Sequence, residues 1–210
     1  MNVKMKTNTW KLKDVILMAV FGVVFAAVYL AVFYVGTAVS VALTPMGLSA
    51  FGFELIYGIW FMASTMSAYI LRKPGVALIT EVLAATVELL MGNAGGLAVV
   101  LTGFIQGLGA EIIFMMFRYK KWNLLTMSLS GMMAAIFIFG YELYYLNYYL
   151  LSPSVLIAQL SVRFISAVVF SGVVAKLTGD ALAKTGVLRS YAIGETVKMN
   201  KVYSSEEEDV

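Results

Sequence analysis

Neither cysteine nor histidine occurs in this chain of 210 residues, and Asp, Glu, Lys and Arg together make up only 13% of it. The two absences exclude disulfides, thiol nucleophiles, zinc sites of the usual His/Cys kind and imidazole acid–base chemistry. No Gly-x4-Gly-Lys-Ser/Thr loop is present to cradle a nucleotide phosphate, so an ATP-driven step would have to come from a partner. Proline is rare, and Pro45 and Pro153 both fall in breaks between apolar runs, where they suit turns. A soluble domain carries about a quarter charged residues. Here 61% of the chain is hydrophobic instead, so the solvent for most of it is lipid.

A membrane span needs roughly 17 to 25 mainly apolar residues. Six stretches qualify, at about 15–39, 51–71, 75–91, 97–117, 124–146 and 155–177, so the expected fold is an all-α integral membrane protein of six transmembrane helices. Lys and Arg are retained on the cytoplasmic side of short loops. Every Lys and Arg except Arg163 lies before the first span, after the second, after the fourth, or at and beyond the end of the sixth, which predicts both termini inside. The breaks at 44–50, 92–96 and 147–154 hold no basic residue and are expected to face outward. The net charge of +3 therefore reflects topology and is no sign of a nucleic-acid partner. The first span is too long, and lacks a small-residue cleavage site, for a removed signal peptide. The expected organisation is a transmembrane domain over 1–189 and a disordered cytoplasmic tail over 190–210, since the end of the chain has no apolar period.

Ionisable residues inside spans are expensive and are turned toward a partner or a cavity. They are Glu54, Glu81, Glu88, Glu111, Glu142 and Arg163. Five carboxylates against one guanidinium is poorly balanced for a purely structural network, which leaves room for protonation or for a cationic ligand or ion. With about 1.5 Å of rise per residue, Glu54, Glu88 and Glu142 lie within roughly 6 Å of the outer boundary, on three different helices. Arg163 and Glu81 fall near the midplane, roughly 12 to 15 Å in, and are the expected ion pair. Glu111 is nearer the cytoplasmic end and reads as structural or as a partner contact.

Aromatic residues gather at the outer level: Tyr57 and Trp60, then Tyr141, Tyr144, Tyr145, Tyr148 and Tyr149. An interfacial belt would account for the tyrosines. Yet Glu54, Tyr57 and Phe61 are spaced i, i+3, i+7, and Glu142, Tyr145 and Tyr149 repeat that spacing, so each helix can turn a carboxylate and a ring to one side. Such faces suit a flat cation, through stacking, cation–π attraction and charge neutralisation. Gln159, Arg163 and Ser166 form a polar face, and Asn93 and Asn147 stand at breaks; these are either helix-to-helix hydrogen bonds or ligand contacts. Gly103-x3-Gly107, and Gly22-x3-Ala26 with Ala19 and Ala27, are small-residue faces for close helix approach, within the chain or to a partner.

The run Glu54-Leu-Ile-Tyr-Gly-Ile-Trp60, then Arg72-Lys73-Pro74-Gly75, Glu81 through Glu88 to Gly92-Asn93, and on through Leu97 to Glu111, resembles the YkoE-type S components of energy-coupling factor (ECF) transporters. The resemblance implies a multi-pass plasma-membrane subunit with no enzymatic activity and no cofactor. It would bind thiamin or its hydroxymethylpyrimidine precursor from outside and work with a T component and two ATPases. Thiamin, with a flat aminopyrimidine and a cationic thiazolium, matches the carboxylate-and-aromatic reading, which nominates Glu54, Tyr57, Trp60, Glu88, Asn93, Glu142, Tyr145, Asn147, Gln159 and Arg163. An Ala-x3-Ala surface for the T component is implied on the first helix, and Gly22-x3-Ala26 with Ala19 is its nearest match here. A self-sufficient proton- or cation-coupled carrier is the competing class, because intramembrane carboxylates also serve as proton relays.

Overall fold

The computed structural model describes residues 9–196 and is helical throughout, with no strand among the described residues. Helix α1 runs over Leu12–Leu43, α2 over Met62–Leu71, α3 over Val76–Leu90, α4 over Ala98–Met116, α5 over Leu124–Tyr145 and α6 over Pro153–Ala167. A π-helical turn, Val168–Val174, leads from α6 into α7, Ala175–Lys184. Four helical stretches are long and apolar enough to cross a membrane: Leu12–Met46, Ala98–Met116, Leu124–Tyr145 and Pro153–Lys184. The apolar runs at 51–71 and 75–91 form shorter helices between them.

The second run departs most from a regular helix. Residues 51–61 pass through turns and the short 3-10 segment Tyr57–Phe61 before α2 begins. In lipid an unwound backbone persists only where protein satisfies its polar groups. Ser166 of α6 does this, since its Oγ accepts the Gly58 N–H at 2.9 Å and donates to the Leu55 carbonyl at 2.8 Å. Gly58 is required there: a Cβ would stand 2.2 Å from the Ser166 carbonyl oxygen. The N–H groups exposed at the start of α2 are also met, Ala63 by the Tyr29 hydroxyl at 3.0 Å and Ser64 by Glu81 at 2.9 Å.

Helix α3 starts the same way. Glu111 of α4 accepts N–H bonds from Gly75, Ala77 and Leu78 at 2.7, 2.9 and 3.3 Å, and the Tyr119 hydroxyl donates to it at 2.7 Å. A carboxylate at a helix N-terminus satisfies orphan donors and complements the dipole. Of the two readings of Glu111, the structure supports the structural one. The α3–α4 contact depends on Gly103 and Gly107, whose added Cβ atoms would come within 2.4 Å of the Ala85 Cβ and 2.9 Å of the Glu81 Cβ.

Two expectations are corrected here. Gly22 and Ala26 do not form an outward surface: Ala26 is fully buried, and a Cβ on Gly22 would lie 3.1 Å from the Leu83 Cβ of α3. Small residues on this face let α1 lie close along α3, while Ala19 and Ala27 are exposed on the other side. The chain beyond Ser190 is placed as far as Thr196. Leu188 and Ile193 bury against the core, the Tyr191 hydroxyl donates to the Lys13 carbonyl at 3.1 Å, and Arg72 donates to the Thr196 hydroxyl at 2.8 Å. Two apolar side chains thus hold a segment that has no apolar period, and residues 197–210 of the expected tail lie outside the described residues.

Ala26→Leu should lower stability by about 1–3 kcal/mol, the usual cost of overpacking a close interface. Ala19→Leu, on the exposed face, should leave it unchanged. Thermal unfolding of both variants in detergent checks this, and equal midpoints would refute the inward placement of Ala26.

Candidate functional site

Arg163 is the largest fully buried side chain and stands at the centre of one wall of the site. Its Nε and Nη2 donate to the two oxygens of Glu54, each at 2.7 Å, and its Nη1 donates to Glu142 at 2.5 Å. The guanidinium carbon lies 3.8 Å from the Tyr57 ring centre and 5.0 Å from that of Phe139. Tyr57 in turn donates its hydroxyl to the other oxygen of Glu142 at 2.5 Å. A bidentate pair plus a second carboxylate is the arrangement in which a buried arginine is fully satisfied, because its fork matches carboxylate geometry.

The expected Arg163–Glu81 pair does not form. Height along a helix axis says nothing about azimuth, and Arg163 reaches to Glu54 and Glu142, which the irregular 51–61 segment and α5 bring within range. Glu81 instead faces the start of α2. Its Oε2 accepts from Ser64 N–H at 2.9 Å and from the Tyr29 hydroxyl at 3.3 Å.

Between these groups lies a cavity of about 230 Å³. Of the residues nominated from the sequence, Glu54, Tyr57, Trp60, Glu88, Asn93, Glu142, Tyr145 and Arg163 line it. The depth argument thus brought the three carboxylates to one cavity, although only Glu54 and Glu142 share a partner. Glu88 stands apart and accepts from the Asn93 side-chain amide at 2.7 Å, while Asn93 Oδ1 accepts the Gly95 N–H at 2.7 Å. Asn147 and Gln159 do not line the cavity. Asn147 is exposed and takes the left-handed backbone (φ 57°) that ends α5, a conformation asparagine tolerates. Gln159 donates to the Ala50 carbonyl at 2.8 Å and so ties the segment after α1 to α6.

Rings form a continuous wall. Phe33 and Phe53 have centres 6.3 Å apart, Phe53 and Trp60 5.7 Å, and Tyr57 and Trp60 5.3 Å. Tyr145 is 55% exposed and stacks on Tyr141 at 5.0 Å. Tyr144 and Tyr149 are also exposed, as an interfacial belt requires, whereas Tyr148 reaches the cavity. Sequence reasoning missed Tyr29, Phe53 and Gln106 as lining residues and placed Glu81 in a pair rather than at this surface. The buried glutamine in a small-residue helix face was the available signal for Gln106. Tyr29 carried none, because an aromatic residue in an apolar run is indistinguishable from core.

Among the described residues Glu81 and Glu88 have no ion pair, and the one guanidinium at the cavity is engaged by two carboxylates. The cavity is therefore acidic and aromatic. No group of three His, Cys, Asp or Glu side chains among the described residues is placed to hold a metal ion.

Arg163→Met and Glu54→Gln should each cost about 3–5 kcal/mol, since each leaves a buried partner unmatched. The double variant should lose clearly less than the sum, whereas Arg163→Met combined with Glu81→Gln should be additive within about 0.5 kcal/mol. Thermal unfolding through both double-mutant cycles measures this, and an additive Arg163–Glu54 cycle would contradict the geometry.

The comparisons agree with this architecture. The family model described as the ABC-type cobalt transport system, permease component, matches residues 13–137. A Bacillus subtilis (strain 168) protein that carries the name HMP/thiamine permease protein YkoE is 39% identical over 199 residues, covering 95% of this chain and 98% of that one. A crystal structure of an S-component of ECF transporter superposes with a TM-score of 0.90 at 39% identity, again over 95% and 98% of the two chains. With that identity, coverage and shared helical framework, the chain belongs to the YkoE-type S components of ECF transporters, which are multi-pass plasma-membrane transport subunits and not enzymes.

Proposed function

We propose that this subunit captures thiamin or its hydroxymethylpyrimidine precursor from outside the cell in the acidic, aromatic cavity and passes it to a T component energised by two ATPases. In this reading the chain crosses the membrane six times with both termini inside, so that its basic residues other than Arg163 face the cytoplasm and the 92–96 break opens outward. The substrate class is that in the name of the Bacillus relative. The observation that carries it is the pairing state of the carboxylates: Arg163 engages Glu54 and Glu142, which leaves Glu88 and Glu81 facing a ring-lined space without a cation among the described residues. A flat cationic ring compound supplies both the charge and the stacking surface that such a space lacks.

Glu88 is the charge-balancing carboxylate of this site, positioned by Asn93 beside the Trp60 wall. Glu54, Glu142 and Arg163 shape the opposite wall through their mutual bonds. The T component docks on the exposed face of α1, where Ala19 and Ala27 flank Val23, because the buried Gly22 and Ala26 are unavailable to it.

Neutralising Glu88 by Glu88→Gln should weaken thiamin by about 1–3 kcal/mol while the uncharged pyrimidine precursor loses much less. Trp60 provides the readout, being the tryptophan that lines the cavity, whereas Trp10 donates to the Pro74 carbonyl and Trp122 stacks on Phe114. Fluorescence titration of wild type and variant with both compounds tests this. Absence of binding of either compound to the wild type would remove the proposed substrate class.

A further inference from the structure

A second cavity, of about 240 Å³, lies toward the opposite end of the bundle from the ring-lined one. Three segments distant in sequence wall it: the start of α1, the turn from α2 into α3, and residues 190–195. Both cavities touch α1, this one at Lys13 and the other at Tyr29, roughly 24 Å farther along the helix. We propose that this second cavity binds the phosphate group of an anionic ligand, and that its surroundings favour the headgroup of an acidic phospholipid as that ligand. The site does not depend on what fills the ring-lined cavity.

Charge is the first argument. Lys11, Lys13, Arg72 and Lys73 meet here with Asp14 and Glu195, a formal excess of two positive charges. Lys73 is committed, since its Nζ donates to Asp14 at 2.5 Å and to the Thr9 carbonyl at 2.9 Å. Glu195 acts on Arg72, whose guanidinium also donates to the Thr196 hydroxyl at 2.8 Å. Lys11 and Lys13 form no ion pair among the described residues. Like charges gathered in one recess repel, and an anion placed between them removes that cost. The recess also lies at the start of α1, the positive end of that helix's dipole. Its shape is held without a ligand: Lys13 Nζ donates to the Ser190 carbonyl, and the Tyr191 hydroxyl returns a bond to the Lys13 carbonyl at 3.1 Å.

Position argues for a lipid as the carrier of the phosphate. Trp10, whose indole donates to the Pro74 carbonyl at 3.0 Å, stands beside the recess, and tryptophan is enriched at the headgroup level. Val15 lies one turn beyond Lys11 on the same face of α1, with Leu12 and Ile16 next to it, and all three are exposed. A phosphate held at Lys11 therefore has apolar helix surface directly alongside for acyl chains, which a soluble phosphate would leave unused. Basic recesses between membrane helices are the usual seats of acidic headgroups.

The test is thermal unfolding of the purified protein in neutral detergent with short-chain phosphatidylglycerol, short-chain phosphatidylcholine or inorganic pyrophosphate. Phosphatidylglycerol should raise the wild-type midpoint saturably, by about 3 °C or more, and phosphatidylcholine should not. Lys11→Gln should reduce the shift, and Lys11→Gln with Lys13→Gln should abolish it. Lys120→Gln with Lys121→Gln, which removes the same charge from an exposed loop, should keep it. Lys11 is exposed and forms no ion pair among the described residues, so its single variant remains informative even if loss of the Lys13–Ser190 bond unfolds the double one. A pyrophosphate shift that Lys11→Gln also reduces would support the phosphate site and assign its ligand to solution. Equal effects of the two lipids together with none from pyrophosphate, or equal loss in the Lys120/Lys121 variant, would overturn the proposal.

Discussion

The Arg163 guanidinium, fully buried among apolar helices, has to find its counter-charges within the protein, and around that requirement one half of the bundle is organised. It finds them in Glu54, on the irregular segment before α2, and in Glu142 of α5. Three elements distant in sequence are thereby held to one point. The same contact fixes Tyr57 against the guanidinium and positions the ring wall of the cavity. It also uses up the one cation that lines the cavity among the described residues, so the acidity of the space follows from the structural bond itself.

A second constraint is that backbone released from helical bonding in lipid must be satisfied by side chains. Here carboxylates and hydroxyls do that work: Ser166 for the 55–58 segment, Tyr29 and Glu81 for the start of α2, and Glu111 for the start of α3. Glu81 is the case in which structure and site overlap, because one of its oxygens caps the start of α2 while the residue also lines the cavity. A site built this way is pre-organised, since the groups that would meet a ligand are held by bonds present without it. Close approach by small residues completes the arrangement. Gly103 and Gly107 bring α4 against α3, and Gly22 and Ala26 bring α1 against the other side of α3, so the helix bearing Glu81 and Glu88 is gripped from two directions.

Composition and residue placement alone were enough to show a polytopic helical membrane protein without thiol or imidazole chemistry, and to gather eight of the lining residues into one region. These properties follow from one-dimensional rules: length of apolar runs, the cost of charge in lipid, and rise per residue. The tertiary structure alone decided which carboxylate Arg163 pairs with, which face of α1 is buried, that Asn147 and Gln159 turn away from the cavity, and that Tyr29 and Gln106 belong to it. Each of those depends on azimuth around a helix and on where regular helix gives way to turns. An apolar run with no polar face carries no azimuthal signal, as the first helix demonstrates with Gly22 and Ala26. The unwinding at 51–61 becomes stable only when Ser166 and Arg163, more than a hundred residues later in the chain, arrive to satisfy it.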